Sequence, residues 1–187
     1  MAACICHWAR AVDNSVELLL LQHPLEQGEA KGTARLLRLS LKRCQVWVGE
    51  QFDPAALAMA TAGAALLYPA AVAAHDRQWS SGGGAPTRLV VIDATWPKSR
   101  KMMALNPVLQ GLQRLSLAAQ TLPQSRYAAL RRARQPHQLS TLEASVFALQ
   151  QWEPEPARYA PLLMAFEGFV AEQIDQRELS ALRLAAD

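Results

Sequence analysis

Apolar residues follow two patterns along this chain. Short apolar runs bounded by turn signals stand at Val16 to Gln22 (VELLLLQ), Gln45 to Val48 (QVWV), Ala64 to Tyr68 (AALLY) and Arg88 to Asp93 (RLVVID). His23-Pro24 closes the first and Pro69 the third. Runs of this kind read as buried strands. Leu112 to Leu117 is a further strand candidate. The segments between them have helical spacing. Thr33 to Lys42 puts Ala34, Leu36, Leu37 and Leu41 near one face, and Asp53-Pro54 is an N-cap with proline at the first helical position. That second helix should run to about Ala62. Another is predicted from Pro97 to about Leu105, where Asn106-Pro107 breaks it. Ser140 and Glu143 form a capping box opening a helix to Trp152, and a last helix runs from Pro161 to about Leu179.

Strands alternating with helices predict an α/β fold, a mainly parallel sheet flanked by helices. Ligands in such sheets bind beyond the carboxyl ends of the strands, here after Leu21, Tyr68 and Ile92. No repeat or linker divides the 187 residues, which read as one domain with a helical extension from about 155. Residues 54–74 carry no charge, but Ala dominates and Pro54, Gly63 and Pro69 interrupt them, so helix, strand and loop are expected instead of a membrane span. The start lacks a secretory signal pattern. Three cysteines, an odd number, argue for a reducing compartment, and the expected location is cytoplasmic.

Net charge is only +3, but its distribution is uneven. Residues 94–142 hold eight basic side chains and no acidic one: Lys98, Arg100, Lys101, Arg114, Arg126, Arg131, Arg132 and Arg134. Residues 143–187 hold eight acidic and three basic. A basic middle rich in Arg suits a polyanion such as nucleic acid; a solvated basic helix face is the plainer alternative.

The glycines at 82–84 precede a strand and are no phosphate loop. No nucleophile elbow or zinc-protease motif occurs. Cys4-x-Cys6 with His7 is half a metal knuckle, and Cys44 beside an apolar strand is a buried thiol. Asp93-Ala94-Thr95-Trp96-Pro97 stands where a strand ends and a helix begins. An acid, a hydroxyl and an indole there can line a ligand crevice, or Asp93 or Thr95 can simply cap the helix. His23-Pro24-x-Glu26, with Thr33 and Arg35, adds a polar set after the first strand.

HPxE, Thr-x-Arg-Leu, Asp-x-Thr-Trp, the Tyr127 to Arg131 segment and Ser140-Thr141-x-Glu143-Ala144 occur in the order found in DTW-domain proteins, which the chain resembles over about residues 4–150. The Cys4-x-Cys6 start fits too. The resemblance implies a SPOUT-like fold with a C-terminal trefoil knot that binds S-adenosylmethionine. It implies transfer of the 3-amino-3-carboxypropyl group from that donor to N3 of a tRNA uridine. Family members commonly carry a Cys-x-x-Cys pair before the Cys-x-Cys. None precedes Cys4, so either the start is truncated or the zinc site is lost; zinc is not expected in the chain as given, and Cys4 and Cys6 read as the remnant of its site. Gly32 stands where a polar residue is more usual.

The implied site residues follow. Asp93 and Glu143 are the expected catalytic carboxylates. Leu67, Tyr68, Pro69, Asp93, Thr95, Trp96, Ser140 and Thr141 are expected around the donor. The tRNA face is expected to include His23, Glu26, Thr33, Arg35, Lys98, Arg100, Lys101, Arg126, Tyr127, Arg131, Arg132 and Arg134. The alternatives are a SPOUT-type methyltransferase using the same donor and a non-catalytic RNA-binding module. The sequence does not set an oligomeric state.

Overall fold

The computed structural model describes residues 4–27, 33–69, 78–79, 84–117, 125 and 139–184, without the side chains of 177 and 180–184. Among them runs one five-stranded sheet: β1 (Glu17–Gln22), β2 (Cys44–Val48), β3 (Ala65–Leu67), β4 (Arg88–Asp93) and β5 (Gln113–Leu115). The order is β2-β1-β4-β3-β5, and every pairing is parallel. The helices are α1 (Thr33–Ser40), α2 (Pro54–Ala60), α3 (Trp96–Leu105), α4 (Pro107–Gln110), α5 (Thr141–Leu149) and α6 (Ala160–Leu184). The expected α/β fold with a parallel sheet is therefore present. The knot turns on the path between β5 and α5, most of which lies outside the described residues.

The leucine run of β1 follows from its central position. Leu18 and Leu20 pack with Leu89 and Val91 under Leu36, Leu37, Leu142, Val146 and Phe166. Leu19 and Leu21 face the other way, with Leu66 and Val90 against Leu57, Met102 and Leu109. A strand covered on both faces needs apolar residues at every position, which removes the two-residue alternation. All four leucines are fully buried, and each contributes about 1.5–3 kcal/mol.

Local signals set several boundaries. Asp53 accepts a hydrogen bond from Ala56 N at 2.7 Å and starts α2. The uncharged stretch then breaks up: α2 ends at Ala60, Gly63 takes a positive φ of 67° that a side chain would strain, and β3 follows. No helix of the described residues is long and apolar enough to cross a membrane. Differences from expectation are small. α3 begins at Trp96, so Pro97 is its second residue. The helix expected to reach Trp152 leaves α geometry at Leu149 and tightens into a 3₁₀ turn over Gln150–Trp152. β5 spans only Gln113–Leu115, because pairing with a three-residue β3 gives it no longer ladder.

Candidate active site at the carboxyl ends of the strands

β1 and β4 are paired in register to their last residues, so Gln22 lies opposite Asp93. Both follow the alternation that puts Leu20 and Val91 against α1 and α5, and their side chains point to the same face. Gln22 Nε2 donates to Asp93 Oδ2 at 2.9 Å. From the start of α5, Thr141 Oγ1 donates to the other oxygen, Oδ1, at 2.7 Å. Asp93 is 8% exposed, and no cation pairs with it among the described residues. A carboxylate has about four acceptor positions, so two remain after these bonds. Backbone bonds carry the ladder past the strands, His23 N to Asp93 O at 3.1 Å and Gly49 N to Gln22 O at 3.0 Å. They fix where both side chains start.

Asp93 does not cap α3. Thr95 occupies the N-cap position, and its side chain makes no capping bond. The capping reading of the Asp-x-Thr-Trp segment is thus replaced by a contact across three elements.

The capping box of α5 is complete. Ser140 Oγ accepts from Glu143 N at 3.1 Å, and Glu143 Oε2 accepts from Ser140 N at 2.8 Å. Ser125 Oγ also donates to Glu143 Oε2, at 2.8 Å. Glu143 is 2% exposed, and these bonds fix the helix start that delivers Thr141.

On the other face of the sheet, aromatic rings crown β3 and β4. Trp96 is 48% exposed and meets Tyr68 edge-on, with ring centroids 6.0 Å apart. The Tyr68 hydroxyl lies 3.4 Å from Ser99 Oγ. Arg114 of β5 stands over the Tyr68 ring at 5.5 Å and donates to the Pro69 carbonyl at 3.3 Å. Leu67, Tyr68, Pro69, Thr95, Trp96, Ser140 and Thr141 therefore all lie at this end of the sheet.

The polar set after β1 is tied together by ion pairs. His23 is buried; its Nδ1 accepts from Leu25 N at 3.1 Å, so Nε2 carries the proton that faces Glu50 Oε1 at 2.7 Å. Lys101 Nζ donates to Glu50 Oε2 at 2.7 Å, and Lys98 Nζ to Glu26 Oε1 at 2.8 Å. Hydrogen bonds from Lys101 and His23 hold the Glu50 carboxyl below its usual range. Thr33 is buried, while Arg35 and Arg100 are exposed. Arg126, Tyr127, Arg131, Arg132 and Arg134 lie outside the described residues.

Cys4 and Cys6 are both exposed free thiols. Hydrogen bonds from the Cys6 backbone and thiol hold Cys4 below its ordinary value, while Cys6 is raised by its side-chain bond to Cys4. His7 faces Glu172 at 3.3 Å. No group of three or more potential metal-ligating His, Cys, Asp or Glu side chains forms among the described residues. Burial pushes the Cys44 thiol up to about 12, so it is unreactive at neutral pH.

Sequence reasoning missed Gln22 and Arg114 as members of this end. Gln22 had a signal, the first polar residue to close a leucine strand. Arg114 was visible only as one of several basic residues.

A family model described as DTW domain matches residues 1–174. A curated relative from Drosophila melanogaster, tRNA-uridine aminocarboxypropyltransferase 2, is 30% identical over 171 residues, 86% of this chain and 66% of that protein. Relatives of the same name from Macaca fascicularis and Mus musculus are each 26% identical over 181 residues, 91% of this chain and 60% of theirs. The chain thus spans about two thirds or less of the curated relatives it matches. No solved structure matches it. With almost the whole chain matched and the Asp-x-Thr-Trp segment at the carboxyl end of β4, this protein belongs to the DTW-domain family.

Proposed function

We propose that this chain transfers the 3-amino-3-carboxypropyl group of S-adenosylmethionine to N3 of a tRNA uridine. The observation that carries the reading is the Asp93 carboxylate, buried at the end of β4 and held from both sides by neutral donors. The names of the curated relatives support the same chemistry. The residues fit such a donor. A carboxylate with no cation on it among the described residues suits a sulfonium and an ammonium group, and the exposed Trp96 indole beside Tyr68 suits an adenine ring. Leu67, Tyr68, Pro69, Thr95, Trp96, Ser140 and Thr141 would hold it. When bound, the donor supplies an electrophilic carbon next to sulfur.

Uridine N3 carries a proton and is a poor nucleophile while it does. Asp93 accepts that proton through an acceptor position left free by Gln22 and Thr141. The new bond joins N3 to the carbon next to sulfur, the carbon–sulfur bond breaks, and methylthioadenosine leaves with the electron pair. Gln22 and Thr141 keep the carboxylate aimed, and orientation lowers the barrier without a chemical step of its own. Glu143 acts through the start of α5, closing the site by fixing Thr141. The tRNA is held by the basic stretch 94–142, with Arg100 among its exposed cations, and by the exposed Arg35 of α1. Loop or single-stranded RNA is the form whose base edge can reach such a crevice. We place the reaction in the cytoplasm, because the odd cysteine count argues for a reducing compartment.

Incubating the protein with tRNA and donor labelled separately in the methyl and carboxypropyl parts tests this. Carboxypropyl label in the RNA is the expected result. Methyl label alone would identify a methyltransferase, and no label would leave an RNA-binding module.

A further inference from the structure

Four Lys or Arg side chains are half-buried among the described residues: Arg88, Lys98, Arg114 and Arg158. Three of them face a carboxylate, Arg88 on Glu17 at 2.6 Å, Lys98 on Glu26 at 2.8 Å and Arg158 on Glu153 at 3.2 Å. Arg114 faces none. It has a tyrosine ring at 5.5 Å and one backbone carbonyl at 3.3 Å. A cation taken partly out of water without a counter-ion is costly, and a protein normally neutralises it. The ring and the carbonyl fix the guanidinium and leave most of its five N–H donors for something else.

We infer that Arg114 is a phosphate contact of the site, binding an RNA phosphodiester next to the reacting nucleotide. This rests on the RNA part of the proposed function and not on the group transferred. The other oxyanion nearby would be the carboxylate of the donor's aminocarboxypropyl group, and spacing argues against it. β3 lies between β4 and β5, and Arg114 is in register with Val90, three residues before Asp93, so two strand spacings and three residues along the strand, about 14 Å, separate them. Arg114 also projects from the face it shares with Leu66 and Val90, while Asp93 projects from the opposite face with Val91. Within the transferred group, the carboxylate lies only three carbon–carbon bonds from the reacting carbon, at most about 4 Å. A nucleotide with its phosphate covers the longer distance. A planar fork held against a ring matches phosphate geometry.

The test measures affinity for unmodified tRNA transcript against salt, and affinity for S-adenosylmethionine alone, in wild type, Arg114→Gln and Arg38→Gln. Arg38 is exposed near Cys44, at the opposite end of the sheet, and serves as the control. Arg114→Gln is expected to lower the salt slope by about one and weaken tRNA binding about tenfold, with donor affinity unchanged. Arg38→Gln should change neither. An unchanged slope in a folded Arg114→Gln overturns the assignment, and a loss of donor affinity in its place moves Arg114 to the donor's carboxylate. A second measurement needs no variant: tRNA should slow phenylglyoxal modification of Arg114 in the wild-type chain. Protection by the donor alone, or by neither ligand, overturns the inference. If Arg114 passes and the wild type transfers no carboxypropyl group, the proposed reaction fails and this contact stands. If the wild type transfers the group and the slope is unmoved, only this contact fails.

Discussion

Asp93 and Glu153 are both buried carboxylates, and they lie at opposite ends of β1. Glu153 reaches the entry to the strand and is saturated. Ser15 N and Tyr159 Oη donate to its Oε1 at 2.7 and 3.0 Å, Ser15 Oγ to Oε2 at 2.8 Å, and Arg158 lies at 3.2 Å. Burial raises its pKa, but the Ser15 and Tyr159 hydrogen bonds and Arg158 outweigh this and hold the carboxyl below its usual range. Asp93 at the exit has one neutral donor on each oxygen and no cation among the described residues. A saturated carboxylate can only hold structure together. One that is aimed but left with free acceptor positions can still take a proton. Equal burial therefore does not mean equal role, and the number and charge of the donors distinguishes them.

The largest expected effect breaks the comparison at Asp93. Asp93→Asn keeps one acceptor and the shape but loses the base. Single-turnover transfer should fall by about 10²–10⁴-fold, with tRNA affinity nearly intact and a thermal midpoint close to wild type. Near-normal transfer by the folded variant would make Asp93 structural.

Glu153→Gln should do the reverse. It removes the charge facing Arg158 and mismatches one donor, costing about 2–4 kcal/mol in denaturant unfolding while the folded fraction keeps its transfer rate. The sign with pH follows from the lowered carboxyl. Its contribution is complete above the unfolded value of about 4.3 and is lost as pH falls through the folded value. The stability gap between wild type and variant should shrink on acidification; a gap constant with pH would mean the charge is not what matters.

Gln22→Glu sharpens the comparison without touching Asp93 itself. It puts a second carboxyl where the amide stands, 2.9 Å from Asp93 Oδ2. Two carboxylates that close share a proton, which raises one apparent pKa of the pair. The acidic limb of the transfer rate should move to higher pH by about one to three units. A profile that does not move would separate Gln22 from the reacting base.

Thr141→Val is the smallest change. It removes one donor to Asp93 and leaves Gln22 in place. A stability loss of about 1 kcal/mol is expected, and a rate loss well below that of Asp93→Asn.

Much of this was legible before folding, but not evenly. The β4 run and its Asp93 end were visible because a strand buried on both faces must be apolar throughout. The Asp53 cap and the Ser140–Glu143 box were visible because both are three-residue relations along one chain segment. Lys98 and Lys101 looked like free charge for a polyanion, and both sit on glutamates far back in the sequence. Their pairing depends on α3 lying beside the turns after β1 and β2, which no local pattern states.

The sequence by itself determined the alternation of strands and helices, the places where they start and stop, and the presence of an acid at the end of a buried strand. Those follow from steric preference, hydrophobic period and hydrogen bonds between near neighbours. Only the tertiary structure decided what that acid touches. The order β2-β1-β4-β3-β5 brings Gln22 beside Asp93 from 71 residues away, and the seating of α5 brings Thr141 from 48. Such contacts are set by which strands pair and which helix covers them, a choice made by burial of the whole core.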